Sequence, residues 1–279
     1  MKQRILVSVF GIPLILGIVV FAPDWATAVA LAVLCVIAAY ELLNAVCGAN
    51  KAKRLVGLAG AMALFTLFGI YCGDARFAET ALPMLASFFR AAMIVLLFVC
   101  AVVEYGGEHP LSFTDICAIL VSGIAIPMAM GALLQLRMLP YGGGLVLIPM
   151  VAAFCSDSAA LFAGMFFGKH KLAPKASPKK TVEGAIGGLL GGMLGMVIFR
   201  IIFYLCTVYP LHIGWCVLMG LVGAVMGQLG DLSFSVIKRQ QGIKDYGRLL
   251  PGHGGVLDRF DSVIFAAPVI WLIVRFVSL

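Results

Sequence analysis

Long uncharged apolar runs decide what this chain can fold into. Of its 279 residues, 62% are hydrophobic and only 12% are charged, which is about half the charge of a soluble domain. A run of roughly 20 apolar residues crosses the hydrocarbon core as a helix, which satisfies its own backbone hydrogen bonds in lipid. A membrane β-barrel is excluded, because apolar and polar residues do not alternate over ten-residue segments. The sequence therefore predicts an all-α fold, a polytopic integral membrane helical bundle that forms a single domain over residues 1–279.

About nine segments qualify as transmembrane helices, separated by polar or turn-forming residues. They are residues 4–22, 25–47, 55–73, 82–104, 114–135, 144–167, 184–207, 213–237 and 262–278. The first segment has no A-x-A cleavage site after it, so we expect it to be retained as a span. Residues 1–140 are mostly apolar helix, whereas residues 144–279 also contain two polar loops, 168–183 and 238–261, and form the predicted catalytic half.

Positive charge is distributed unevenly among the predicted loops. With the N-terminus inside, nine crossings place Lys2, Arg4 and the basic residues of 51–54, 168–183 and 238–261 on one side. Lys and Arg accumulate on the cytoplasmic side of membrane proteins. We therefore expect a multi-pass protein of the cell (inner) membrane, with its N-terminus and both polar loops in the cytoplasm.

Of the acidic residues inside predicted spans, three stand out. A charge near mid-membrane costs about 2.5–3.5 kcal/mol on the insertion scale and usually serves a function. Asp157 lies in the sixth span and Asp231 in the eighth, each well inside its helix. Glu41 lies near the inner end of the second span, where its side chain is expected to reach the membrane interface. Asp157 and Asp231 are therefore the stronger candidates for a functional site.

The glycine-rich tract 184–195 and the glycines of the eighth span have helical spacing. The tract lacks the GK[ST] ending of a phosphate-binding loop. Glycines four residues apart allow membrane helices to approach closely. Close helix packing is therefore the favoured interpretation of both tracts.

The end of the eighth span carries polar residues at helical spacing. Ser235 lies four residues after Asp231, and Lys238 and Arg239 lie seven and eight residues after Asp231, so these side chains share one helix face. This face runs from the membrane towards the second polar loop. The neighbouring bases are also the natural ion-pair partners of these acids, and that alternative stays open.

The last span is preceded by two aspartates three residues apart, Asp258 and Asp261. If the last two helices are neighbours, Asp231 and Asp258 converge. Two carboxylates in a low dielectric repel each other unless a cation lies between them. Mg²⁺ suits such a site, because one or two carboxylates hold it and substrate phosphates complete its shell.

The first polar loop is rich in lysine and ends at a helix start. Its lysines are Lys169, Lys171, Lys175, Lys179 and Lys180. Charge alone would attract anionic lipid headgroups. Ser177, Lys179, Lys180 and Thr181 directly precede the helix, however, and helix N-terminal amides favour phosphate. The second polar loop is rich in glycine around His253, which lets the backbone approach a ligand closely.

Residues 235–261 carry a long motif: S-x-apolar-K-R, four residues, K-D-x-G, then P-x-H-G-G-x-x-D-R-x-D. This motif resembles the signature of the phosphatidate cytidylyltransferase (CDP-diacylglycerol synthase) family, bacterial short form. Residues 169–184 and the D-S-A-A tract from Asp157 resemble two further motifs of that family. The resemblance implies a nucleotidyltransferase that makes CDP-diacylglycerol and pyrophosphate from CTP and phosphatidate with Mg²⁺, for phospholipid biosynthesis.

The resemblance also assigns roles to residues. Asp231 and Asp258 match the paired aspartates that hold the metal and take part in catalysis. The other implied catalytic residues are Lys238, Arg239 and Asp261. The implied substrate-binding residues are Ser177, Lys179, Lys180, Thr181, Ser235, Lys244, Asp245, His253 and Asp157. The chain departs from the family at Tyr246, where Ser is usual, and at Leu161, where an aromatic residue is common.

Two other functions remain as alternatives. An ion-coupled transporter would use Asp157 and Asp231 as coupling acids, but it does not explain the lysine cluster, and no internal repeat is evident. A CTP-dependent lipid kinase would release CDP instead of pyrophosphate. The expected partners are CTP, phosphatidate and membrane lipid, with no nucleic acid. The sequence leaves open a homodimer and a second cation.

Overall fold

The computed structural model describes residues 12–108, 110–247 and 254–277. This part of the chain is mostly helical. The helices are α1 (Ile12–Phe21), α2 (Asp24–Cys47), α3 (Ala49–Cys72), α4 (Leu82–Val103), α5 (Phe113–Arg137), α6 (Gly142–Phe167), α7 (Val182–Thr207), α8 (Ile213–Gln240) and α9 (Leu257–Phe276). Of the residues singled out in the sequence, Lys2, Arg4 and His253 lie outside the described residues.

Seven of the helices in the described ranges, α2 to α8, are long and apolar enough to cross a membrane. The chain is therefore a multi-pass helical membrane protein. Helix α9 has Asp258, Arg259 and Asp261 among its first five residues, which lowers its hydropathy. Spans at α1 and α9, and with them the total of nine, stay predictions.

Among the local differences between the structure and the sequence-based expectation, two concern basic residues. Helix α3 begins at Ala49, not near residue 55, so the basic residues of 51–54 are helical. Their long side chains reach polar partners from the helix end: Lys51 pairs with Asp115 at 2.7 Å and Arg54 with Glu104 at 3.0 Å.

The second difference lies in the first polar loop, which contains a small antiparallel hairpin. Strands β1 (Lys171–Ala173) and β2 (Ser177–Thr181) pair Lys171 with Thr181 and Ala173 with Ser177. The all-α expectation is therefore incomplete at this point. The hairpin gives the lysine-rich loop a fixed shape next to the start of α7.

The chain divides into two compact units. The first comprises residues 1–138 and 245–259, which include α1 to α5 and the first residues of α9. The second comprises residues 139–244 and 260–279, which include α6, the hairpin, α7, α8 and the rest of α9.

The first unit is built around α2, α3 and α5. Helix α5 begins with a capping box between Ser112 and Asp115. A π-helical turn at Val121–Ala125 precedes Pro127. Proline has no N–H, so it cannot bond the carbonyl of Gly123 four residues earlier. The Thr66 hydroxyl of α3 donates to the Met62 carbonyl at 2.7 Å and lies 3.4 Å from the Gly123 carbonyl.

The second unit depends on close contact between α6, α7 and α8. A methyl group at Gly192 of α7 would lie 2.7 Å from the Gly220 carbonyl oxygen of α8, and one at Gly220 would lie 2.7 Å from the Met193 Cα. Only glycine fits at this crossing. The predicted role of the glycine-rich tract in helix packing is thus confirmed.

Candidate active site

A cavity of about 480 Å³ lies in the second unit, where α6, the hairpin, α7 and α8 meet. The structure brings together here predicted site residues from three separate stretches of sequence. The charged and polar residues that line the cavity are Asp157, Lys179, Lys180, Thr181, Gln228 and Asp231. The remaining walls are apolar or glycine, and they include Leu161, Met165 and Leu172.

Asp231 lies at the centre of a polar cluster. It is half-buried on α8 and accepts a hydrogen bond from the Ser235 hydroxyl one turn later, at 3.3 Å. This contact follows from the predicted four-residue spacing. Asp231 also forms an ion pair with Lys180 of β2. The acid therefore has a basic partner that comes from the hairpin.

Two further carboxylates of the second unit lie near Asp231. Asp157 accepts a hydrogen bond from the Ser262 hydroxyl of α9 at 3.3 Å. Asp261 is buried, accepts the Ser262 backbone N–H at 2.8 Å, and lies within electrostatic range of Asp157, Asp231 and Lys238. Lys238 is itself buried. These acids repel one another, so the cluster favours binding of a cation.

The donor chemistry fits Mg²⁺. Within the described ranges, no group of three or more His, Cys, Asp or Glu residues is arranged to hold a metal ion. Mg²⁺ needs only one or two carboxylates, because water and substrate phosphates complete its shell. Asp231 is a suitable donor by this test. The predicted convergence of Asp231 with Asp258 stays a prediction, since each residue belongs to a different compact unit.

Asp258 organises the backbone of the first unit. Its Oδ2 accepts the N–H groups of Tyr246 at 2.8 Å and Gly255 at 3.0 Å, so one carboxylate oxygen joins two parts of the second polar loop. Gly254 between them has a φ of 85°, a conformation that favours glycine. The sequence motif did not indicate this structural role.

Glu41 is the clearest correction to the sequence interpretation. The sequence predicts that it reaches the membrane interface, but it is only 4% exposed. Its two carboxylate oxygens accept the backbone N–H groups of Val256 at 3.0 Å and Leu257 at 2.9 Å. These amides lie at the start of α9, where helical N–H groups have no partner within the helix.

The hairpin is held from both ends. Thr181 is the N-cap of α7, and its hydroxyl accepts the Gly184 N–H at 3.1 Å. Arg239 at the end of α8 donates to the carbonyls of Ala176 at 3.3 Å and Ile243 at 3.1 Å. These contacts fix the strand that carries Lys179 and Lys180 against the cavity.

The remaining predicted residues are placed as follows. Ser177 starts β2, and Lys244 and Asp245 are exposed. Of the two departures from the family pattern, Leu161 is a cavity wall and Tyr246 is buried.

Sequence reasoning missed Gln228. Its side-chain amide donates to the Ser156 hydroxyl at 3.3 Å and the Ala185 carbonyl at 3.1 Å, which ties α8 to α6 and α7 beside the cavity. An uncharged amide in a glycine-rich span was the available signal, since a polar group buried there requires partners.

Comparison with known proteins gives consistent matches. Residues 2–277 match the model of the cytidylyltransferase family. A phosphatidate cytidylyltransferase of Bacillus subtilis (strain 168) is 33% identical over 290 residues, covering 100% of this chain and 99% of that protein. One from Brucella suis biovar 1 is 35% identical over 230 residues, covering 75% of this chain and 83% of that protein. This chain therefore belongs to the cytidylyltransferase family.

Proposed function

We propose that this protein transfers the cytidylyl group of CTP to phosphatidate, giving CDP-diacylglycerol and pyrophosphate. Its family and the name of its full-length relative from Bacillus subtilis support this activity. The observation that carries the proposal is the cavity of the second unit, in which Asp157, Asp231, Lys179 and Lys180 face a common space. Such a mixture of acids and bases suits a polyphosphate and its cation.

The apolar walls of the same cavity suit the lipid substrate. Leu161 and Met165 line it and are each 61% exposed, and the neighbouring Phe162 and Phe166 are also exposed. A diacyl tail can stay against this apolar surface while its phosphate enters the polar region. The cavity thus accommodates one substrate from lipid and one from water.

The reaction requires little proton transfer. A phosphatidate oxygen attacks the α-phosphorus of CTP, a new P–O bond forms, and the bond to pyrophosphate breaks. The nucleophile is already anionic, so the chain needs no strong general base. The main obstacle is the repulsion between two polyanions, and Lys179 and Lys180 offset it by binding phosphate oxygens.

The sequence motif assigns Mg²⁺ to Asp231 and Asp258. When bound, this ion supplies charge neutralisation to the triphosphate and its leaving group. Ser235 and Lys180 hold the Asp231 carboxylate in place until then. The distribution of Lys and Arg among the loops favours the inner membrane as the location and the cytoplasm for both polar loops.

Product analysis tests the proposal. Purified protein is incubated with phosphatidate, Mg²⁺ and CTP labelled in the cytosine ring, and lipids and nucleotides are separated. Label in the lipid fraction together with pyrophosphate release is the expected result. Release of labelled CDP without labelled lipid would indicate a lipid kinase, and no CTP turnover at all would refute the proposal.

A further inference from the structure

The second polar loop is anchored by a residue far away in sequence. Glu41 of α2 binds the amides of Val256 and Leu257, more than 200 residues later. The whole arrangement lies within the first unit. It joins a transmembrane helix to the segment that carries Asp258.

Two glycines of the second polar loop make room for this carboxylate. A methyl group at Gly247 or at Gly255 would collide with the Glu41 carboxylate. The sequence motif suggested that glycines in this loop let a ligand approach the backbone. At these two positions the group that approaches is Glu41, so the glycines serve an internal contact.

An acceptor with two oxygens suits this position. The first amides of α9 point at the Glu41 oxygens, and the helix dipole places partial positive charge there. Asp258, one residue after Leu257, accepts the Gly255 N–H at 3.0 Å. Glu41 and Asp258 therefore bind three consecutive amides, those of Gly255, Val256 and Leu257. This shared set of amides couples the position of Asp258 to Glu41.

We propose that Glu41 is a positioning residue for the nucleotidyl transfer: it fixes the start of α9 so that the Asp258 carboxylate is held in its working place. This inference rests on the proposed function, in which Asp258 is a metal-binding residue. Glu41 itself touches neither substrate nor metal in this account. A displacement of about 1 Å at a reacting group can cost up to about 100-fold in rate.

The test compares Glu41→Gln with Asp115→Asn in the full-length protein. The glutamine keeps the size of the side chain, but its NH₂ group faces a backbone N–H. Asp115 is the matched control, because it is also 4% exposed, lies in the same unit and accepts a backbone N–H, that of Ser112 at 2.9 Å, at a helix start. Both changes replace one buried carboxyl group by an amide, but only the first is next to the Asp258 segment.

Three quantities are measured: kcat and KM for CTP, Mn²⁺ affinity by electron paramagnetic resonance, and hydrogen exchange of the backbone amides. Glu41→Gln is expected to lower kcat by about 10- to 100-fold with little change in KM. It should also weaken Mn²⁺ binding and accelerate exchange at residues 255–257. Asp115→Asn should accelerate exchange near Ser112 and leave kcat and Mn²⁺ affinity near the wild-type values.

The outcomes separate this inference from the proposed function. Faster exchange at residues 255–257 with wild-type kcat and Mn²⁺ affinity would overturn the positioning role. An equal loss of kcat in Asp115→Asn would also overturn it, since general destabilisation would then be sufficient. If the wild type makes no CDP-lipid, the proposed function fails, while Mn²⁺ affinity and exchange still test Glu41. If Glu41→Gln does not fold, Glu41→Asp is measured in its place, because it keeps the carboxyl group on a shorter side chain. The same changes in kcat, Mn²⁺ affinity and amide exchange are then expected, but smaller.

Discussion

The crossing of α7 and α8 gives a quantitative prediction about stability. A Cβ at Gly192 would lie 2.7 Å from the Gly220 carbonyl oxygen and 2.8 Å from the Ala224 Cβ. Relieving these contacts requires the two helices to move apart, because one of the neighbours is backbone. Overpacking of this kind costs about 1–3 kcal/mol, so we expect Gly192→Val to lower the free energy of unfolding by about 2 kcal/mol.

Gly57 provides the control. It lies in α3, is exposed, and a methyl group on its Cα would have no neighbouring atom within 4 Å. Gly57→Val should be neutral or slightly stabilising, since valine favours helix more than glycine does. Thermal unfolding in detergent should show Gly192→Val melting about 4–8 °C below the wild type. Equal melting temperatures for Gly192→Val and Gly57→Val would refute the close packing of α7 against α8.

Three further predictions concern single side chains. Thr181→Val removes the N-cap of α7 and should cost about 1 kcal/mol, seen as a lower melting temperature that Thr181→Ser restores. Lys180→Met removes a cation from the cavity and the ion-pair partner of Asp231, so initial-rate kinetics should show a raised KM for CTP; an unchanged KM would exclude phosphate binding by Lys180. Hydrogen bonds from the Arg76 backbone and side chain lower the pKa of Asp74. The stability that Asp74 contributes is therefore present at neutral pH and lost only as the pH falls through that lowered pKa. Arg76→Leu keeps the backbone N–H but removes the side-chain hydrogen bond, so it should reduce this step in a plot of melting temperature against pH.

Hydropathy was sufficient to predict most of the helices. In lipid every backbone polar group needs a hydrogen-bond partner within the protein, and a long apolar run meets this requirement by forming a helix. The boundaries were less predictable where charge enters a helix. Lys51 and Arg54 interrupt the apolar pattern, yet they are helical, and their long side chains extend to Asp115 and Glu104.

The candidate site was predictable where residues are close in sequence or belong to a motif. Asp231 and Ser235 are one helical turn apart, and their contact follows directly. Pairing of Asp231 with Lys180 was not predictable, since a hairpin within the first polar loop brings the lysine to α8. The role of Glu41 was not predictable either. Its partners are backbone amides more than 200 residues away, and a contact with backbone leaves no pattern of side chains in the sequence.

The central claim is that the cavity containing Asp231 is the place of nucleotidyl transfer. The most direct test is the rate of CDP-lipid formation by Asp231→Asn, beside Ser233→Ala, which changes an exposed residue of the same helix. We expect Asp231→Asn to lose at least about 100-fold in rate while it remains folded, and Ser233→Ala to keep wild-type turnover. Near-normal turnover by a folded Asp231→Asn protein would contradict the claim.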